Sequence, residues 1–303
     1  MGARVHGIAL AALVLLAQPC EAHAQAGPER VTFLSADGKT ELVGYVFRPR
    51  KMRTPRVPGV VMMHGRAGAY SSAAGGVYDA STLSRRHLMW GRLWAASGYV
   101  GILVDGFGPR GHPQGFPRFS YRDRPPEFDE TTVRPLDAYG ALAYLRTRGD
   151  VVPDRIGLQG WSNGGSATLA AMAIDAPGIS MPTPTSGFRA ALAFYPACGL
   201  KGRFQAGYRP YAPVRVFHGT ADEEVSPRRC SRLVERGRAL GGDTRIELYD
   251  EATHGFDDPS PKRRRIPANA AAAEDAVNRA LRFFAEALQS VGRVNPAESE
   301  GRK

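Results

Sequence analysis

The chain has 303 residues, 43% of them hydrophobic and 23% charged, and a formal net charge of +11. That apolar share fills one large α/β domain or two small ones. The basic excess is mostly arginine spread along the chain, and no nucleic-acid recognition motif accompanies it, which argues against a nucleic-acid partner.

Residues 1–24 read as a secretory signal, with Arg4 as the basic start, residues 8–17 as the apolar stretch and Ala22-His23-Ala24 as the cleavage site. The apolar stretch is too short to span a bilayer, and no later run is long enough. Pro19 directly before Cys20 is wrong for a lipid anchor. The reading is an exported protein with a single domain over residues 25–303. Cys198 and Cys230 remain after the signal, and an even count in an oxidising compartment favours a disulfide between them.

Residues 31–35 and 41–48 alternate as strands, with Asp37-Gly38 as the hairpin turn. Residues 59–63 (GVVMM) form a continuous apolar run, the mark of a strand buried on both faces. His64-Gly65-Arg66-Ala67-Gly68 follows at once. An apolar stripe predicts a helix over 78–97, stopped by Gly98. Residues 99–104 (YVGILV) form another buried strand. A long irregular excursion over 106–132 then leaves the carboxyl end of that strand, where it can wall a site. Thr132 caps and Pro135 opens a helix to Arg148.

Residues 156–158 end the next strand, and Gly160-Trp161-Ser162-Asn163-Gly164 follows, a G-x-S-x-G pattern before an apolar helix over 166–174. Strand, tight turn and helix form the setting of a nucleophile elbow. Strands over 190–194, 214–217 and 244–249 alternate with a helix over 227–240, and a last helix covers 269–289. The basic run 262–265 lies between Pro261 and Pro267 and reads as a solvated loop. Strands alternating with helices predict a mostly parallel sheet flanked by helices on both faces.

A serine hydroxyl needs a base to take its proton, and the base needs a partner to hold its tautomer. Of the five histidines after the signal (His64, His87, His112, His218 and His254), only His254 follows both the elbow and two further strands. Asp222, five residues past residues 214–217, is the candidate acid, with Glu223 and Glu224 as nearest rivals and Asp243, Asp250, Asp257 and Asp258 behind them. The backbone N–H groups of Asn163 and Arg66 are the candidate oxyanion donors. His64 reads as a structural residue that bonds backbone. Arg110, Arg118, Arg122 and Arg124 in the long excursion are candidates to bind a substrate carboxylate, and Phe107 beside them is a possible substrate contact. No cysteine or histidine cluster has metal spacing, and no cofactor is implied.

These segments resemble the dienelactone hydrolase family of α/β-hydrolases, in particular its exported serine members. The likeness rests on VVMMHGRAG (60–68), RHLMWG (86–91), GYVGILVDGFGPRG (98–111), TTVRPLDAYGALAYL (131–145), GWSNGG, YPACG, HGTADEEVSP and THGF. The resemblance implies the α/β-hydrolase fold, Ser162, Asp222 and His254 as a triad, and Cys198 close to Cys230. Members that cleave dienelactone carry cysteine at the elbow and glutamate in the loop after the third strand. This chain has Ser162 and Arg66 there, which points to a broader hydrolase of carboxylic esters or lactones. A peptidase uses the same triad but usually adds a propeller or lid, for which the chain has no room. A catalytically silent binding scaffold usually loses a triad member.

Overall fold

The computed structural model describes residue 2 and residues 27–289, so the expected signal sequence lies outside the described residues. Eight strands form one sheet in the order β1-β2-β4-β3-β5-β6-β7-β8. β1 (Glu29–Leu34) and β2 (Glu41–Phe47) make the antiparallel hairpin, and β2 also pairs antiparallel with β4 (Val100–Asp105). In the hairpin turn Asp37 Oδ1 accepts the N–H groups of Lys39 and Thr40. The remaining neighbours run parallel: β3 (Val57–Met63), β5 (Val151–Trp161), β6 (Ala190–Phe194), β7 (Val214–Gly219) and β8 (Thr244–Tyr249).

The apolar run of β3 shows why the sheet is covered on both faces. Side chains alternate across a strand. Val61 and Met63 join one core cluster, with Ile102, Val104 and Leu158, while Val60 and Met62 join the other, with Leu103 and Leu192. α2 (Arg134–Thr147), α3 (Asn163–Ala171) and α4 (Pro227–Ala239) cover the first face through Leu142, Leu169 and Leu233. α1 (Arg85–Ala96) and α6 (Pro267–Phe284) cover the second through Trp90, Trp94 and Phe284. This is the α/β-hydrolase fold.

Several boundaries differ from the sequence reading, each for a local reason. The first helix starts at Arg85, not residue 78, because Ser84 caps it and accepts the His87 N–H. Ahead of it Asp79 caps a separate 3₁₀ turn. Thr132 does not cap α2; the Asp129 carboxylate accepts the N–H groups of Thr131 and Thr132 instead. Lys262, Arg263 and Arg264 of the basic run fall in α5 (Pro261–Arg264), a single turn exposed except at Arg263, which donates to Thr253 Oγ1 at 2.8 Å. The 106–132 excursion contains three 3₁₀ turns and its own aromatic cluster, in which Phe107, Phe116 and Phe128 meet edge to face. Parallel strands end on a common edge. The loops after β3, β4, β5, β6, β7 and β8 therefore converge there, and the residues of the site come from them and from the helices that follow them.

Candidate active site

Ser162 stands between β5 and α3 with φ of 52° and ψ of −114°, in the region that favours glycine. Two neighbours make room for the turn. A Cβ at Gly160 would lie 2.2 Å from the Gly164 carbonyl oxygen, and one at Gly164 would lie 2.1 Å from that of Met63. The first i to i−4 bond of α3 runs from Ser166 N–H to the Ser162 carbonyl at 2.8 Å. The N–H of Asn163 is therefore one of the helix-start donors with no partner inside the helix. It contributes to the positive end of the α3 dipole.

His254 sits in the loop after β8, and its Nε2 is 3.0 Å from Ser162 Oγ. Its Nδ1 is 2.8 Å from Asp222 Oδ2, in the loop after β7. The arrangement is self-consistent if Nδ1–H donates to the carboxylate and Nε2 accepts from the hydroxyl. The other Asp222 oxygen accepts the N–H groups of Glu224 and Val225, both at 2.9 Å. Such a line from hydroxyl through imidazole to carboxylate can raise the nucleophilicity of the hydroxyl.

The three consecutive acids hold three different partners. Glu223 Oε2 accepts the His254 backbone N–H at 2.9 Å. Burial alone would raise its carboxyl, but that N–H and the nearby Arg263 bring it below the usual range. Glu224 takes a bidentate contact from Arg66, at 3.0 and 3.1 Å, and lies 3.8 Å from His254 Nε2. Burial again opposes ionisation, and Arg66, His254 and Arg118 overcome it, so Glu224 also sits below the usual carboxylate range. Arg66 in turn donates from Nη1 to the Phe116 carbonyl at 3.0 Å. The side chain of Arg66 is thus fully engaged, and its backbone N–H lies in the loop after β3.

A buried arginine joins the loops that carry Asn163 and Arg66. Arg134 Nη1 donates to the His64 carbonyl at 2.7 Å and to Asn163 Oδ1 at 2.6 Å. The Asn163 amide nitrogen donates to Glu130 at 3.2 Å. Burial pushes the Arg134 guanidinium down to about 10, against the raising effect of Asp137. It still carries its charge at neutral pH. His64 is buried and neutral, since burial pushes it well below its usual value. Its Nδ1–H donates to the Gly65 carbonyl at 2.7 Å and its Nε2 accepts the Gly106 N–H at 3.2 Å.

Not every candidate reaches the site. Arg110 makes a bidentate ion pair with buried Asp137, at 2.8 and 2.9 Å, and donates to the Gly106 carbonyl. Phe107 is buried against the His64 ring and under the Arg134 guanidinium. Neither lines the cleft above Ser162, so both anchor the loop and leave substrate contact to other groups. Arg118 pairs with Glu223 and Glu224 at the rim. Asp257 is no rival acid: it accepts from the indoles of Trp90 and Trp161 and from the Tyr195 hydroxyl. Asp243 pairs with Arg215, Asp258 with Arg86, and Asp250 accepts from Thr220. Cys198, after β6, is bonded to Cys230 of α4. Sequence reasoning missed Arg134, whose only signal is a basic residue at a helix start. It also missed the role of Glu224, which it weighed only as an acid.

Among the described residues no group of three or more His, Cys, Asp or Glu side chains is placed to hold a metal ion. No helix among them is long and apolar enough to cross a membrane.

Solved structures share this fold. A dienelactone hydrolase-like promiscuous phosphotriesterase from metagenomic libraries aligns with a TM-score of 0.60 and 20% identity, covering 86% of this chain and 97% of that one. Esterase 2 of Thermogutta terrifontis, with propionate bound, aligns with a TM-score of 0.58 and 19% identity, covering 88% and 97%. A puromycin-hydrolysing peptidase of Mycobacterium tuberculosis gives 0.61 and 18%, covering 86% of this chain but 39% of that longer one. No curated protein matches the sequence. The dienelactone hydrolase family matches residues 42–288, most of the described residues, so the chain belongs to the dienelactone hydrolase family.

Proposed function

We propose that the protein is a serine hydrolase of carboxylic esters or lactones, exported from the cell, with Ser162 as nucleophile, His254 as base and Asp222 as its partner. The observation that carries the reading is the pair of contacts on one imidazole, 3.0 Å to Ser162 Oγ and 2.8 Å to Asp222 Oδ2.

His254 Nε2 takes the hydroxyl proton as Ser162 Oγ attacks the carbonyl carbon. The oxygen gains negative charge and meets the N–H groups of Asn163 and Arg66. His254 then gives the proton to the departing alcohol, and the acyl group stays on Ser162. A water molecule, deprotonated by His254, attacks the acyl carbon and restores the hydroxyl. The sum is ester plus water giving carboxylate, proton and alcohol, with no cofactor. The likeness to a longer peptidase supports the fold only, because it covers 39% of that chain.

Incubation with a fluorophosphonate should label Ser162, and p-nitrophenyl esters of graded chain length should be turned over. Ser162→Ala should lower kcat by roughly four to six orders of magnitude with the melting temperature unchanged. Full activity in a folded Ser162→Ala variant would end this mechanism. An unlabelled, inert wild type would favour a binding scaffold.

A further inference from the structure

The cleft above Ser162 is open and holds about 1200 Å³, larger than a short ester needs. Its charge is one-sided. Glu130 and Glu224 are the acidic side chains that line it. Glu224 is held by Arg66 and Arg118, and Glu130 accepts from the Asn163 amide. Lys201, on the lining, pairs with Asp129. That leaves Arg122, Arg124, Arg229, Arg232 and Arg236, all on the lining, and none has a carboxylate within ion-pair distance among the described residues, although Arg124 packs on Phe116 and Tyr121 with Glu130 as its main opposing charge and Arg236 donates to the Gln205 carbonyl at 3.3 Å.

Three of these five form a row. Arg229, Arg232 and Arg236 stand at i, i+3 and i+7 of α4, and all three are exposed. That spacing keeps side chains on one helix face. Seven residues of helix rise about 10 Å, so three guanidinium forks line one wall of the cleft over that length. Arg122 and Arg124 come from the excursion after β4. A lone carboxylate needs one fork. A row of forks suits a row of anions, since each guanidinium matches one carboxylate with two parallel hydrogen bonds.

We propose that the substrate is an ester carried on a chain of repeated carboxylates, of which an oligouronate is the simplest kind, with α4 holding free carboxylates while an esterified one reaches Ser162. The inference rests on the hydrolase reading above and narrows its substrate class. Carboxylate is favoured over phosphate by the reaction itself. Water and the ester group give an alcohol, a proton and one more carboxylate, the same group that the neighbouring positions of such a chain present to α4. Each turnover leaves a product with more charge than the substrate, so product is held more tightly than substrate by the basic wall.

Calorimetric titration of the Ser162→Ala protein with oligogalacturonate tests this, beside a neutral maltooligosaccharide and a single-stranded oligonucleotide. Saturable binding of the oligogalacturonate is expected, weaker as salt is added, with no binding of the neutral sugar. Adding Arg229→Gln, Arg232→Gln and Arg236→Gln together should weaken binding by roughly tenfold or more, the scale of a lost charge-assisted hydrogen bond. Circular dichroism verifies that the combined variant is folded. Unchanged binding in that folded variant, or preference for the oligonucleotide, overturns the proposal. Turnover of neutral p-nitrophenyl esters by the wild type is read separately. If those are cleaved and the oligogalacturonate is not bound, this inference fails alone. If the oligogalacturonate is bound and neither p-nitrophenyl esters nor methyl-esterified oligogalacturonate is cleaved, the hydrolase reading fails and takes the substrate assignment with it.

Discussion

Arg134 holds two loops through one nitrogen, which donates to both the His64 carbonyl and Asn163 Oδ1. Those loops carry the Arg66 and Asn163 N–H groups proposed to meet the oxyanion. Arg134→Met keeps most of the stem and removes both bonds. A small loss of alignment at a reacting centre costs up to about a hundredfold in rate. The expected result is a kcat for p-nitrophenyl butyrate lower by roughly ten- to a hundredfold with KM little changed. A lowered melting temperature with kcat untouched would reduce Arg134 to a structural role. His87 makes a different prediction. Burial pushes it down to about 4, its Nδ1–H donates to the Ala69 carbonyl at 2.8 Å, and its buried Nε2 has no partner. Its folded value lies below its unfolded value near 6.5, so the unfolded chain binds the proton first. The contribution to stability is full above pH 6.5 and is lost as pH falls towards 4, up to about 3 kcal/mol. Burial pushes His64 and His218 the same way. Urea midpoints should therefore fall between pH 7 and pH 4.5, and less steeply in His87→Gln. Equal slopes in both proteins would refute the assignment to His87.

Individual elements show what the sequence made legible and what it hid. β3 could be read because its apolar run has one stable use, a strand covered on both faces. The elbow could be read because glycines at 160 and 164 leave no room for a Cβ. Arg110 and Phe107 were misjudged because position after a strand says nothing about the direction of a side chain. Arg110 turns to Asp137, 27 residues away, on a helix whose inner face carries a buried carboxylate. Arg134 was hidden for the same reason, since its partners lie 70 and 29 residues away and one is a backbone oxygen. The bond between Cys198 and Cys230 joins the turn after β6 to α4 at a sequence separation of 32. Closing such a loop contributes roughly 3 to 4 kcal/mol in the chain-entropy account. Replacing both cysteines by serine should lower unfolding free energy by about that amount in urea titrations, and reductant should do the same to the wild type. Titration curves that overlay with and without reductant would contradict it.

At the scale of the whole molecule the arrangement follows from one topological fact. Parallel strands deliver their carboxyl ends to one edge, so residues at 162, 222 and 254 meet, with Arg66 tied to Glu224 beside them, although the chain separates them widely. Chain order alone led to this convergence, because strand and helix alternation was plain in the apolar pattern. The long excursion after β4 was harder. Its aromatic residues carry no period, and their mutual packing becomes visible only once the backbone turns through its 3₁₀ segments. The uneven distribution of charge was hidden too. A net charge of +11 says nothing of where arginines gather, and the gathering on α4 depends on which helix face looks into the cleft.

The run Asp222-Glu223-Glu224 touches the imidazole, the backbone of the same histidine and the arginine of the opposite loop. For an engineer these three positions are a single machine part, and its length matters as much as its chemistry. Adding or deleting one residue there would shift all three grips out of phase at once, an error no point substitution elsewhere could repair. Libraries meant to alter the proposed substrate preference belong on the exposed face of α4, where side chains can change without disturbing that clasp.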